Sequence, residues 1–128
     1  MVAVSNDINP NKVVHRTACA SAVLKWFGVE GITWNERTKR NVWRDTLRRG
    51  GFGVRSRKSK IGKAKTVGAA REALVKIAES EPNIIAFAVT VDAHVLLVGR
   101  NGKTIVDTDA RKRDRRKLVT VDAIVNGL

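Results

Sequence analysis

Tyrosine and glutamine are absent from this 128-residue chain, and cysteine occurs once. One cysteine cannot close an intramolecular bridge, so packing must supply the stability, and Cys19 is left as either a small inert core residue or a reactive thiol. Aromatic residues are scarce at 5%, and the three tryptophans read as core. Base-specific or single-strand nucleic-acid recognition, which needs stacking side chains, is therefore not indicated. No run approaches the ~18 to 20 uncharged apolar residues of a membrane-spanning helix. Met1 to Pro10 has neither the basic region nor the apolar stretch of a signal peptide, so a soluble protein acting inside a cell or a particle is expected, with no membrane partner. Acids are the scarce charge: 12 Asp and Glu face 25 Lys and Arg, a formal net charge of +13 with a pI near 10.9. Such a surface attracts polyanions through a sequence-independent, salt-dependent term.

What is present suits one domain, since 43% hydrophobic residues can bury a real core. Residues 1–15 (MVAVSNDINPNKVVH) mix Asn, Asp and Pro with valine pairs and read as an extended arm, leaving 16–128 as the domain. Ala18, Cys19, Ala22, Val23, Trp26 and Phe27 recur at helical spacing and Gly28 supplies a stop, which predicts a helix over about 17–27. Asn35 to Arg49 places Trp34, Val42, Trp43, Thr46 and Leu47 on one face and cations on the other, a second helix closed by Gly50 and Gly51. Residues 51–65 (GFGVRSRKSKIGKAK) read as a mobile basic loop with a short strand near 52–56. Thr66 caps a third helix, Val67 to Glu79, with Val67, Ala70, Leu74, Ile77 and Ala78 inward and Pro82 barring continuation.

The period then changes. IIAFAVTV (84–91), HVLLVG (94–99) and KTIVDT (103–108) are strand-like, the last two joined by a turn containing Asn101-Gly102. A strand near 117–121 and a short terminal helix complete an α+β layout, helices first and antiparallel sheet second.

Three residues could carry chemistry. A cysteine in the opening turn of a helix meets unsatisfied N–H groups and the positive end of the dipole, which favour its thiolate. His94 opens a strand that otherwise reads VLLV, where propensity does not ask for a histidine. Pairing about Asn101-Gly102 brings 94 near 107 or 109 on the neighbouring strand, so the carboxylate of Asp107 could fix the tautomer of His94, which would take the proton of Cys19. The plainer alternative is that His94 bonds a backbone group and Asp107 ends a strand. His15 and Cys19 stand four apart, as zinc ligands on one helix would, yet a site needs His94 and a carboxylate to converge with them. No metal and no cofactor are assigned, and no G-x-x-x-x-G-K-[ST] phosphate loop is present.

The segments HRTACASAVLKWFGV and AHVLLVGRNGKTIVDTDARKR, with two helices between them, resemble the papain-like cysteine peptidase superfamily, nearest to bacteriocin-processing-type peptidase domains and short phage-encoded relatives. The resemblance spans residues 15–120 and implies a papain-like fold, thiol chemistry on an acyl group of a peptide substrate, Cys19 as nucleophile, His94 as base and Asp107 as orienting residue. It also implies a setting in a host cytoplasm or a virion. Such enzymes carry a Gln several residues before the cysteine to bind the oxyanion. This chain has Val13 in that neighbourhood, with Asn11 and His15 as the polar stand-ins, and losing one such donor costs ~10² to 10³ in rate.

The cations form two runs. Twelve Lys or Arg lie between Arg37 and Lys65, and six of the seven residues Arg111 to Lys117 are basic. Arg37, Arg40, Arg44 and Arg48 share one helical stripe, and with Arg55, Arg57, Lys58, Lys60, Arg111, Arg113, Arg115 and Arg116 they are the predicted phosphate contacts. Few acids are interspersed, so self-repulsion is unrelieved unless a polyanion binds. The alternative to an enzyme is thus the same fold without activity, a virion or accessory protein contacting DNA, RNA or other virion proteins.

Overall fold

A computed structural model describes residues 19–29, 40–91, 94–108 and 114–127. Helix α1 occupies residues 19–26 and α2 Arg40–Arg49. Strand β1 (Phe52–Ser56) and a 3-10 turn (Lys58–Lys60) come next, then helix α3 (Val67–Ser80). Four strands follow: β2 (Ile84–Val91), β3 (His94–Gly99), β4 (Thr104–Val106) and β5 (Thr120–Asn126). All pair antiparallel in one sheet of order β1-β5-β2-β3-β4. The arm 1–15, Trp34 and residues 35–39 of the second predicted helix lie outside the described residues.

The sheet separates two cores because successive strand residues face opposite ways. Phe87, Val89, Leu96, Val98, Val121, Ala123 and Val125 meet Leu74 and Ile77 of α3 on one face. Ala86, Ala88, Val95, Leu97 and Ile124 meet Val23 and Leu24 of α1 and Trp43 and Leu47 of α2 on the other. In α1, Trp26 departs from its predicted place in the core: it is 46% exposed and packs its edge against Phe27.

Local signals place α3. Thr66 accepts from the Ala69 N–H at 3.2 Å, and Val67, Ala70, Leu74, Ile77 and Ala78 are buried as their spacing requires. Near its end the Ala78 carbonyl accepts from Arg100 Nη2, while Arg100 Nη1 donates to the Ile84 carbonyl at the start of β2, each at 2.6 Å. The predicted hairpin turn is present, with Gly102 at φ 79°. A Cβ on Gly102 would lie 3.0 Å from the Arg71 carbonyl oxygen, so the turn packs on α3 only with glycine there.

Two expectations change. The terminal helix is instead part of β5, a central strand whose residues Val121 to Val125 are all buried. A short apolar run does not by itself distinguish helix from strand, and the empty place between β1 and β2 decides it. The polar segment 51–65 is tied down rather than loose: β1 pairs with β5 along its length, Arg57 bonds Glu81 through Nε at 2.9 Å, and Ile61 enters the α3 core.

Candidate active site

At one end of the sheet β2 finishes, β3 starts and β4 finishes, so His94 and Asp107 are neighbours by topology. Their meeting depends on an irregularity. Leu97 pairs with Val106 and Val98 with Thr104, which makes Ile105 an extra residue, a β-bulge. Paired side chains share a face, so the bulge brings Asp107 opposite Leu96 and onto the side from which His94 projects. In a regular ladder Asp107 would oppose Val95 and project from the other face. His94 Nε2 and Asp107 Oδ1 lie 2.7 Å apart, with the imidazole fully buried and the carboxylate 15% exposed.

Cys19 comes from α1, on the opposite face, and reaches the same place through the sheet edge. The carbonyl of Thr90 accepts from the Val119 N–H at 2.8 Å, so the backbone polar groups of Thr90 face β5. Its partner Val95 therefore turns its N–H away from β2, toward the β4 side. Because β4 has already ended at Val106, the acceptor there is not a ladder carbonyl. It is Cys19 Sγ, at 3.4 Å. The sulfur is thus held by the backbone of the residue next to His94, where the chain leaves β4 through Asp107.

The electrostatics of the sulfur differ from the expectation of a stabilised thiolate. Cys19 is 1% exposed, and burial pushes its pKa above the ordinary 9.0. The N–H groups of Val95, Ala20 and Cys19 act in the expected direction, favouring the anion, while the Asp107 carboxylate opposes it. Desolvation outweighs the donors, so Cys19 rests as a neutral thiol at pH 7. Asn11, Val13 and His15, the neighbourhood of the oxyanion donor, lie outside the described residues.

Of the predicted phosphate stripe, Arg40 and Arg44 are half-buried and turned toward the sheet, while Arg48 is exposed. Arg40 donates through Nε and Nη2 to the two oxygens of Asp122 at 2.7 and 2.6 Å. Arg44 Nε lies 3.3 Å from Asp122 Oδ1, within ion-pair range but out of hydrogen-bond geometry. Arg48 donates to the Val54 carbonyl at 3.2 Å, and Arg57 is engaged by Glu81. These four therefore fasten α2 to the sheet and to β1, and the turn to the end of α3, and of the predicted contacts Arg37, Arg111 and Arg113 lie outside the described residues. Arg55, Lys58, Lys60, Arg115 and Arg116 are exposed. The Asp122 centre escaped sequence reading, although a lone acid within the apolar run VTVDAIV is the signal of a buried partner.

A groove of about 820 Å³ between residues 60–64 and α3 lies away from this site and is lined by Lys60, Lys63 and Lys76 with Glu72. Among the described residues its lining has no cysteine or histidine. No group of three His, Cys, Asp or Glu able to hold a metal occurs among the described residues, nor is any helix among them long and apolar enough to cross a membrane. Comparison with family models, with curated proteins and with solved structures finds no match.

Proposed function

We propose that this chain is a papain-like thiol hydrolase that cleaves an acyl bond, of a peptide or a related substrate, with Cys19 as nucleophile, His94 as base and Asp107 as orienting residue. The observation that carries the reading is the 2.7 Å His94–Asp107 bond formed beside the residue whose N–H holds the Cys19 sulfur. With Nε2–H donated to Asp107, Nδ1 is the basic nitrogen of the ring. Because burial keeps Cys19 protonated, its proton passes to Nδ1 as the sulfur attacks the carbonyl carbon, rather than in advance. The imidazolium then protonates the leaving group, and a water deprotonated by the same nitrogen hydrolyses the thioester.

A second reading, the same fold kept as a non-catalytic virion or accessory protein, is favoured by the 1% exposure of Cys19 and by the absence of Gln. Intact-mass analysis after incubation with p-nitrophenyl acetate separates the two. The enzyme reading requires an acetyl adduct on Cys19, absent from Cys19→Ala and formed about 100-fold more slowly in His94→Ala. Equal acetylation of wild type and His94→Ala leaves only the second reading.

A further inference from the structure

We propose that the fold assembles the two basic runs into one surface that binds the backbone of double-stranded nucleic acid, independently of the thiol chemistry. Residues 60–65 and 115–117 are distant in sequence but adjacent in space. Thr66 forms an isolated antiparallel bridge with Lys117. The Leu118 N–H donates to the Lys65 carbonyl at 2.9 Å and the Val67 N–H to the Arg116 carbonyl at 3.1 Å, while Lys58 Nζ donates to the Leu118 carbonyl at 3.3 Å. Lys60, Lys63, Lys65, Arg115, Arg116 and Lys117 are all exposed around this junction. Two acids beside it are already engaged: Asp114 accepts from Arg71 at 2.8 Å, and Glu81 accepts from Arg57 and has Lys60 at 3.8 Å. Like charges are thus concentrated with little internal relief, a cost that folding accepts and a polyanion removes.

The chemistry favours phosphate over an acidic protein. A protein interface needs an apolar centre, and the exposed large apolar side chain described at this junction is Val119 alone. Phosphate contacts need only long cations and backbone shape, with no aromatic platform. Lys60 and Lys63 also form one wall of the groove whose other wall, on α3, carries Lys76 and Glu72, so the positive surface is strongest on the side of residues 60–65 and 115–117.

The test is fluorescence anisotropy of a labelled 20-base-pair duplex across 50 to 300 mM NaCl, a range in which phosphate contacts are read from the salt slope. Lys63→Gln, Lys65→Gln and Lys117→Gln are combined in one variant. Lys25→Gln, Arg49→Gln and Lys103→Gln, at exposed positions elsewhere, are combined in a control of the same net charge. The patch variant should lose at least about tenfold more affinity than the control, and its log–log salt slope should shrink by about 3. Equal losses in the two variants would reduce the binding to net charge and overturn the surface. So would absence of duplex binding at the lowest salt, or binding of polyglutamate through the same lysines without binding of the duplex.

Discussion

Two carboxylates on opposite faces of the same sheet keep different company. Asp122, fully buried on the α2 face, is held by Arg40 and flanked by Arg44, groups that stay charged at every accessible pH. Asp107, at the sheet end on the α3 side, is held by the His94 imidazole, and the N–H of the next residue, Val95, holds the Cys19 sulfur. Burial alone would rank Asp122 as the more unusual residue. The partner decides otherwise: permanent charges make a clamp, whereas an imidazole partner is what the proposed proton relay requires.

The largest expected effect breaks the clamp. Asp122→Asn leaves two guanidinium groups facing a neutral amide and should lower unfolding free energy by about 3 to 5 kcal/mol, read from urea midpoints. Asp107→Asn, in contrast, removes one hydrogen-bond partner of a neutral side chain and should cost less, about 1 to 2 kcal/mol, while slowing Cys19 acylation about 100-fold or more. Equal stability losses at the two positions would erase the distinction. The register sharpens it: one alanine inserted between Val106 and Asp107 moves the carboxylate from the place opposite Leu96 to the place opposite Val95, on the other face, so the protected His94 Nε2–H resonance should vanish from the proton NMR spectrum as it does in Asp107→Asn. A retained resonance would show that the register of β4 does not aim the carboxylate.

A smaller effect concerns alkaline pH. The Cys19 pKa is raised in the folded state, so the native state holds the thiol proton more tightly than the unfolded chain does. The associated stability is fully present below the unfolded thiol pKa and is lost as pH rises from about 9 toward the folded value, by up to about 1.4 kcal/mol per pH unit. Wild type should therefore lose stability more steeply than Cys19→Ala between pH 9 and 11 in thermal melts, and parallel curves would contradict the burial of the thiol.

How much of this was legible in the sequence follows the range of the interactions. The period and cap of α3 and the Asn101-Gly102 hairpin are set by residues a few positions apart, and sequence reading places them well. The pairing of His94 with Asp107 is readable as a choice between 107 and 109, because a hairpin fixes register only until a bulge intervenes. The bulge at Ile105 depends on packing along β4 and leaves no local mark. Arg40 and Arg44 read as a phosphate stripe because the helix pattern shows only that cations share a face, and not that Asp122, 82 positions beyond Arg40, waits beneath it. The terminal strand was hidden for the same reason, its place in the middle of the sheet being set by β1 and β2.

The central claim is that His94 activates a buried neutral thiol. The most direct measurement is the rate of Cys19 alkylation by iodoacetamide from pH 5 to 11, in wild type and in His94→Ala. The account predicts a wild-type rate at pH 7 at least about 100-fold above that of His94→Ala, whose rate rises only above pH 9, as the thiol itself ionises. Superimposable profiles would mean that the ring does not reach the sulfur, and the assignment of a catalytic site would fall.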